Sequence, residues 1–394
     1  MTLLTIDEGQ PRQAAPGMPL FALGFRPFYL LAAAFAAASI PAWVATNLGW
    51  QSALRLDLAW HVHEMVFGFV LAVVVGFLYT AGRNWTGLWT PRGKHLAVIA
   101  GIWLAGRIAM AATPPLFGAL VDILFLPCAT WPLYRVLHRS GNRRNMFLVV
   151  LLSILTLANA AFHASHLGWI AVDPLRPIHL AIMVVVVIEA VIGGRVIPNF
   201  TANAVTGAKP VQHAQRDKIT LVLTALAGLA WACPVPAPLA AALAVAAAVA
   251  QVTRLIGWRP LCTLRNPLLW ILHVSYAWIP LGFVTLALSE IGLAPQSAAV
   301  HLLAVGAMAG LIMGMITRTA LGHTGRPLRA GRAETVMYVL IQAGVVARFA
   351  AAVLPSWRDP ALIVAAVCWS SAFLAYVATY APYLAAPRID GREG

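Results

Sequence analysis

The sequence predicts an all-α polytopic membrane protein. It is read as twelve transmembrane helices in three pseudo-equivalent four-helix units, with both termini cytoplasmic. Three observations predict this. The 394-residue chain is 61% hydrophobic and only 10% charged, with a mean hydropathy of +0.80. Apolar stretches of about 20 residues, the length that crosses a bilayer, recur from one end to the other. The basic residues then alternate between the two sides of those stretches.

Taken in order, the spans are expected at about 28–48, 57–81, 95–113, 116–137, 146–168, 177–194, 218–235, 237–256, 267–289, 297–318, 333–354 and 360–386. The first 19 residues are polar and rich in Pro, Gly and Gln, and lack the apolar core of a signal peptide, so no cleavage is expected. Of 27 Lys and Arg, 22 fall at the N-terminus, the C-terminus, the even-to-odd loops or the span ends beside those loops, as in Arg139, Arg143 and Arg144. The opposite loops hold three, Arg55, Arg176 and Arg358, and two more, Arg107 and Arg348, lie inside spans. That asymmetry is the positive-inside pattern. It accounts for the formal charge of +14 as a topology signal, so no nucleic-acid partner is expected and the partner is the lipid bilayer. The four cysteines (Cys128, Cys233, Cys262 and Cys368) are scattered, with neither a disulfide framework nor a C-x-x-C-H haem-attachment motif. Fourteen Trp, mostly near span ends, read as an interfacial belt.

One membrane domain, 1–394, is expected, carrying pseudo-repeats at about 20–137, 138–256 and 257–386. Arg26, Arg144 and Arg265 open spans 1, 5 and 9 at intervals of 118 and 121 residues. Thr86-Gly87, Thr206-Gly207 and Thr324-Gly325 recur at 120 and 118. His63, His179 and His301, each in the second span of its unit, recur at 116 and 122. Gly68 and Gly76 follow His63 at the same distances as Gly306 and Gly314 follow His301. Small-residue rows also arise from close helix packing alone. The shared period across four kinds of mark favours a repeat around a central site.

The stretch Trp60-His61-Val62-His63-Glu64-Met65-Val66-Phe67-Gly68 concentrates ionisable groups inside a span, where they are costly and mark function. At about 100° per residue, His61 and His63 point about 200° apart, so one helix can serve two sites. Six histidines fall at one depth on the outer side: His61, His63, His163, His166, His179 and His301. His163 and His166 are spaced i, i+3, which can chelate one metal. Imidazole suits copper, iron and zinc, and is an axial ligand of b-type haem. The alternative is a structural or proton-conducting cluster. Glu64 reads as a proton donor or a partner for a ligating histidine, or else as a carboxylate paired with Arg55. Glu189, about 15 Å along the helix from His179, reads as a proton relay or as a partner of Arg195. These two acids are the catalytic candidates; Asp122 is the other intramembrane acid of note.

Three motifs together resemble the NnrS family over essentially the whole chain. They are Trp60-His61-Val62-His63-Glu64-Met65 with Phe67-Gly68, the run Gly194-Arg195-Val196-Ile197-Pro198-Asn199-Phe200-Thr201, and His301 followed by Gly306, Gly314 and Thr317-Arg318 with Gly322-His323-Thr324-Gly325-Arg326. The resemblance implies a bacterial inner-membrane protein of twelve spans that contains haem and copper and is linked to denitrification and nitrosative stress. The architecture is also similar to the catalytic subunit of haem–copper oxidases and nitric oxide reductases. The motifs differ, since here the H-x-H lies on the second span rather than the tenth, and span 7 carries no histidine.

The expectation is therefore one or two b haems and copper, binding or turning over nitric oxide or a related nitrogen oxide in the manner of a redox enzyme. A quinol or a cytochrome would donate electrons. Depth, spacing and the repeat place His63 and His301 as haem axial ligands. They place His163, His166 and His179 on copper or a second metal, and His61 beside His63 at a neighbouring centre. Arg195 joins the cofactor-binding candidates. A transporter or metal-handling protein, and a b-type electron-transfer cytochrome, are the alternatives.

Overall fold

A computed structural model describes residues 18–393, and the polar N-terminal stretch expected to stay uncleaved lies almost wholly outside them. Among the described residues there are helices and no strands. The long helices are α1 (Phe25–Asn47), α2 (Leu58–Thr86), α3 (Gly93–Ala112), α4 (Pro115–Arg139), α5 (Arg143–His166) and α6 (Leu175–Ala204). They continue as α7 (Ala214–Ala232), α8 (Ala237–Gly257), α9 (Pro267–Glu290), α10 (Gln296–His323), α11 (Arg332–Val353) and α12 (Pro355–Ala385). Eleven of these are long and apolar enough to cross a membrane. The chain is a polytopic helical membrane protein. The exception is α7, where Arg216, Asp217 and Lys218 occupy the first turn and leave residues 219–232 as the apolar part.

Local chemistry sets the ends. The Asp57 side chain accepts from the Trp60 amide at 2.7 Å and starts α2, meeting one of the free amides of its first turn. Gly87, at φ 70°, ends α2 in the left-handed region. Gly207 and Gly325, the other glycines of the Thr-Gly period, share that conformation at φ 78° and 80°. Without a Cβ, glycine adopts it at no steric cost.

Two helices are not regular. In α2 the segment Glu64–Val70, and in α10 the segment Leu302–Ala309, is wound as π-helix. Each begins immediately after a histidine of the period, His63 or His301. A third helix, α4, breaks between Asp122 and Phe125.

From α3 to α12 each helix packs on its neighbour in the chain, and α12 returns against α1 and so towards α2. That closure carries polar ties. The Trp369 indole donates to the Ala36 carbonyl at 2.8 Å, and Arg26 donates to the carbonyls of Leu384 and Ala386, each at 2.8 Å. The most deeply buried spans are α2 and α10, followed by α9 and α6. The spans α2, α6 and α10 thus run through the interior, and the two larger voids of the fold lie against them.

Candidate metal and haem centres

The two histidines of the H-x-H motif face opposite ways, as the helical angle requires. His63 turns towards α4 and α5, into a polar cluster built by four helices. Its Nδ1 lies 3.0 Å from Glu64 Oε1, and its Nε2 lies 2.9 Å from Asn159 Oδ1 and 3.2 Å from Asp122 Oδ2. His163 Nε2 approaches the same Asp122 oxygen at 3.0 Å, and Asn159 Nδ2 donates to it at 2.8 Å. Arg107 of α3 bridges the two acids, donating to Glu64 at 2.8 Å and to the other oxygen of Asp122. All six side chains are at least nine-tenths buried.

His63, Asp122 and His163 each present one donor atom, and the three atoms lie within 4.8 Å of one another. Metal–nitrogen and metal–oxygen bonds of about 2.0–2.2 Å hold neighbouring donors roughly 3 Å apart, which is the spacing found around Asp122. The Glu64 contact completes the arrangement. A carboxylate accepting from Nδ1–H fixes the tautomer and leaves Nε2 with its lone pair free for a metal. Charge points the same way. Arg107 offsets one of the two carboxylates, so the cluster accommodates one further positive charge, and an uncompensated charge at this depth is costly. Two imidazoles and a carboxylate, without thiolate, suit copper, iron or zinc. A cavity of about 40 Å³ lined by Arg55, Asp57, His163 and His166 adjoins the cluster near the α1–α2 loop.

His61 turns the other way, into the larger void. This cavity, of about 260 Å³, is enclosed by α1, α2, α6, α10, α11 and α12. Its walls are apolar except for His61, His179, His301, Arg348 and two small polar groups, Gln296 and Ser297. The rings of His61 and His301 are 6.5 Å apart and inclined by only 11°. Two imidazoles bound to one metal ion from opposite sides, with bonds of about 2.0 Å, place their ring centres roughly 6 Å apart. His301 Nδ1 donates to the Ser297 carbonyl at 2.6 Å, which leaves Nε2 as its free ligand atom. His61 lies flat on Trp43 at 3.9 Å, and its buried Nδ1 has no hydrogen-bond partner. His179 lies flat on Trp231 at 4.0 Å. The lining and donors fit an apolar, planar prosthetic group held between histidines.

The structure therefore pairs the histidines differently from the sequence expectation. His63 does not face His301; His61 does. His179 and His301 share the central cavity, but His63 joins His163 instead. His166 is exposed and stacked on Phe162, outside the buried donor group, so the i, i+3 pair does not close on one ion. Glu64 pairs with Arg107 rather than Arg55. Arg195 pairs with Asn145 at 2.8 Å, at the far end of α5 from His163, and meets neither Glu189 nor either centre. Glu189 faces a second void, of about 90 Å³, between α2, α6, α9 and α10, and its buried Oε2 has no partner. The two larger voids share Val70 as a wall.

Asn159 is the member that the sequence did not single out, and Asp122 and Arg107 stood out there as intramembrane charges without being placed at this cluster. Asn159 and His163 are i, i+4 and so share a helix face, which was the available signal. Arg107 was visible as an arginine inside a span.

These features define a class: a polytopic helical membrane protein with buried histidines on both faces of one interior helix, one of them in a group of donors that could hold a metal ion. Within that class the chain belongs to the NnrS protein family, whose profile matches residues 19–388. No curated protein matches the chain.

Proposed function

We propose that this protein is a haem- and copper-binding protein of the bacterial inner membrane. Its ligand in this reading is nitric oxide or a related nitrogen oxide, in protection against nitrosative stress or in support of denitrification. The observation that carries the reading is the double use of α2, which sends His61 into an apolar cavity facing His301 and His63 into a charged cluster with Asp122 and His163. Membership of the NnrS family supports it.

In this account His301 would hold haem b, and His61, its ring oriented by Trp43, would face the ligand side. His63, Asp122 and His163 hold copper, with Glu64 and Arg107 fixing the donors. Haem iron and copper would supply one-electron chemistry and binding of a diatomic ligand. The protein's own contribution is orientation and exclusion. The largely apolar walls favour a small uncharged molecule beside His61 and His301. Glu64 holds the proton on His63 Nδ1, and Glu189 is positioned to carry protons from the other end of the bundle. A quinol or a cytochrome would be the electron donor.

The near-parallel His61–His301 pair favours a second reading, a b-type electron-transfer cytochrome whose iron is closed on both sides. Spectra of the purified protein before and after nitric oxide separate the two. Haem bands that shift support the first reading, and haem bands indifferent to the gas support the second. A purified protein with neither haem nor copper would overturn both.

A further inference from the structure

We propose that Arg348 anchors a carboxylate or small oxyanion in the central cavity. The inference rests on the cavity being the haem site for one of its two sources, and stands without it for the other.

Arg348 lies on α11 and lines the cavity beside His61, His179 and His301. Its one hydrogen bond is from Nη2 to Ser297 Oγ, at 3.2 Å. Among the described residues no carboxylate lies within ion-pair distance of it. A cation whose charge acts on it, Arg358, is already paired with Asp359 at 2.5 Å. A half-buried guanidinium against apolar walls, with one neutral partner, leaves most of its donors unused. A charge so placed is costly until an anion meets it.

The repeat sharpens the point. Arg348 follows Arg107 by 241 residues, while His301 follows His63 by 238. Each arginine lies on the third helix of its unit and bonds to a residue of the second. Arg107 meets two acids, Glu64 and Asp122. At the position of Glu64 the third unit has Leu302. The first unit therefore contains its own counter-charge, and the third leaves that role to a ligand. A planar guanidinium fork matches a carboxylate or an oxyanion such as nitrite with two parallel hydrogen bonds.

The anion has two sources of the same chemistry, a propionate of the bound haem or a free oxyanion from outside. The test uses the full-length protein in detergent, with Arg348→Gln, the conservative Arg348→Lys, and Ser297→Ala, which removes the one protein contact of Arg348. Haem per protein, the midpoint potential and nitrite binding by calorimetry are measured on each. If a propionate is the anion, Arg348→Gln loses haem or shifts its potential while nitrite binding is unchanged. If a free oxyanion is the ligand, haem content and potential hold and nitrite affinity falls by about tenfold or more. Arg348→Lys recovers part of either effect. Haem content, potential and nitrite affinity all unchanged in Arg348→Gln would overturn the inference. Should Arg348→Gln fail to fold, Ser297→Ala and Arg348→Lys must reproduce the same losses in weaker form, and no change in either would overturn it. A wild-type protein without haem would remove the haem reading alone. Nitrite binding that depends on Arg348 would then still uphold the anion site, and its absence would end it.

Discussion

His61 and His63 are separated by a single residue and have opposite surroundings, an indole and an apolar cavity for one, two carboxylates and an amide for the other. That division was legible in the sequence, because an H-x-H on a helix must splay. Which histidine meets which partner was not, since it depends on how α2 is rotated against α4, α5 and α10. The repeat arithmetic aligned His63 with His301, yet the ring that faces His301 is that of His61. Arg107 shows the same limit. As an arginine inside a span it was visible, but its bridge between Glu64 and Asp122 follows only from three helices meeting. Arg107→Met should be among the most damaging single changes, because it leaves two buried carboxylates without their cation. A loss of about 3–5 kcal/mol is expected, read as an early thermal transition in detergent. A transition matching the wild type would show that the bridge contributes nothing. Asn159→Leu removes one hydrogen bond to Asp122 and the amide beside His63 Nε2. Metal analysis should show weakened copper retention with haem content intact, and loss of both metals together would contradict the separation of the two centres.

At the scale of elements, the fold class and most helix limits were readable because they follow from apolar length and from Pro, Gly and Asp at the ends. The π-wound segments were not, since nothing in Glu64–Val70 or Leu302–Ala309 breaks a regular α pattern. Both begin one residue after a histidine of the period, and π segments recur at functional sites. The shared winding, the shared left-handed glycines and the interior course of α2, α6 and α10 all support the three-unit repeat, which we retain as a proposal. The break in α4 has a signal in Pro127, which cannot donate to the Ile123 carbonyl, and it falls at Asp122, whose carboxylate meets two histidines. Gly68 belongs to the π segment. A Cβ there would stand 2.6 Å from Arg107 Nη1 and 2.9 Å from Glu64 Oε2. The guanidinium is the flexible end of its side chain, but two ion pairs hold it. Gly68→Ala should therefore loosen the Arg107–Glu64 bridge, with a cost of about 1–3 kcal/mol and lower copper occupancy. Normal copper and normal stability in Gly68→Ala would show that the cluster yields without loss.

For the whole molecule, the charge asymmetry predicts an orientation with His61, His63, His163, His166, His179 and His301 at the outer end. The least secure span in that topology is α7, whose first turn is charged. Two native cysteines decide it. Cys233 is exposed where α7 meets α8, and Cys262 is exposed in the segment between α8 and α9. If α7 crosses, an impermeant thiol reagent applied to intact cells reaches Cys233 and spares Cys262. Labelling of Cys262 with protection of Cys233 would place α7 on the inner side or reverse the whole bundle, and protection of both would contradict any arrangement in which α8 crosses. The central claim is that one interior helix separates two metal centres. Its most direct test is haem and copper content measured on the same preparations of wild type, His301→Ala and His163→Ala. The account expects His301→Ala to lose haem and keep copper, and His163→Ala to lose copper and keep haem. Parallel loss of both metals in each variant, or full retention of both, would contradict it.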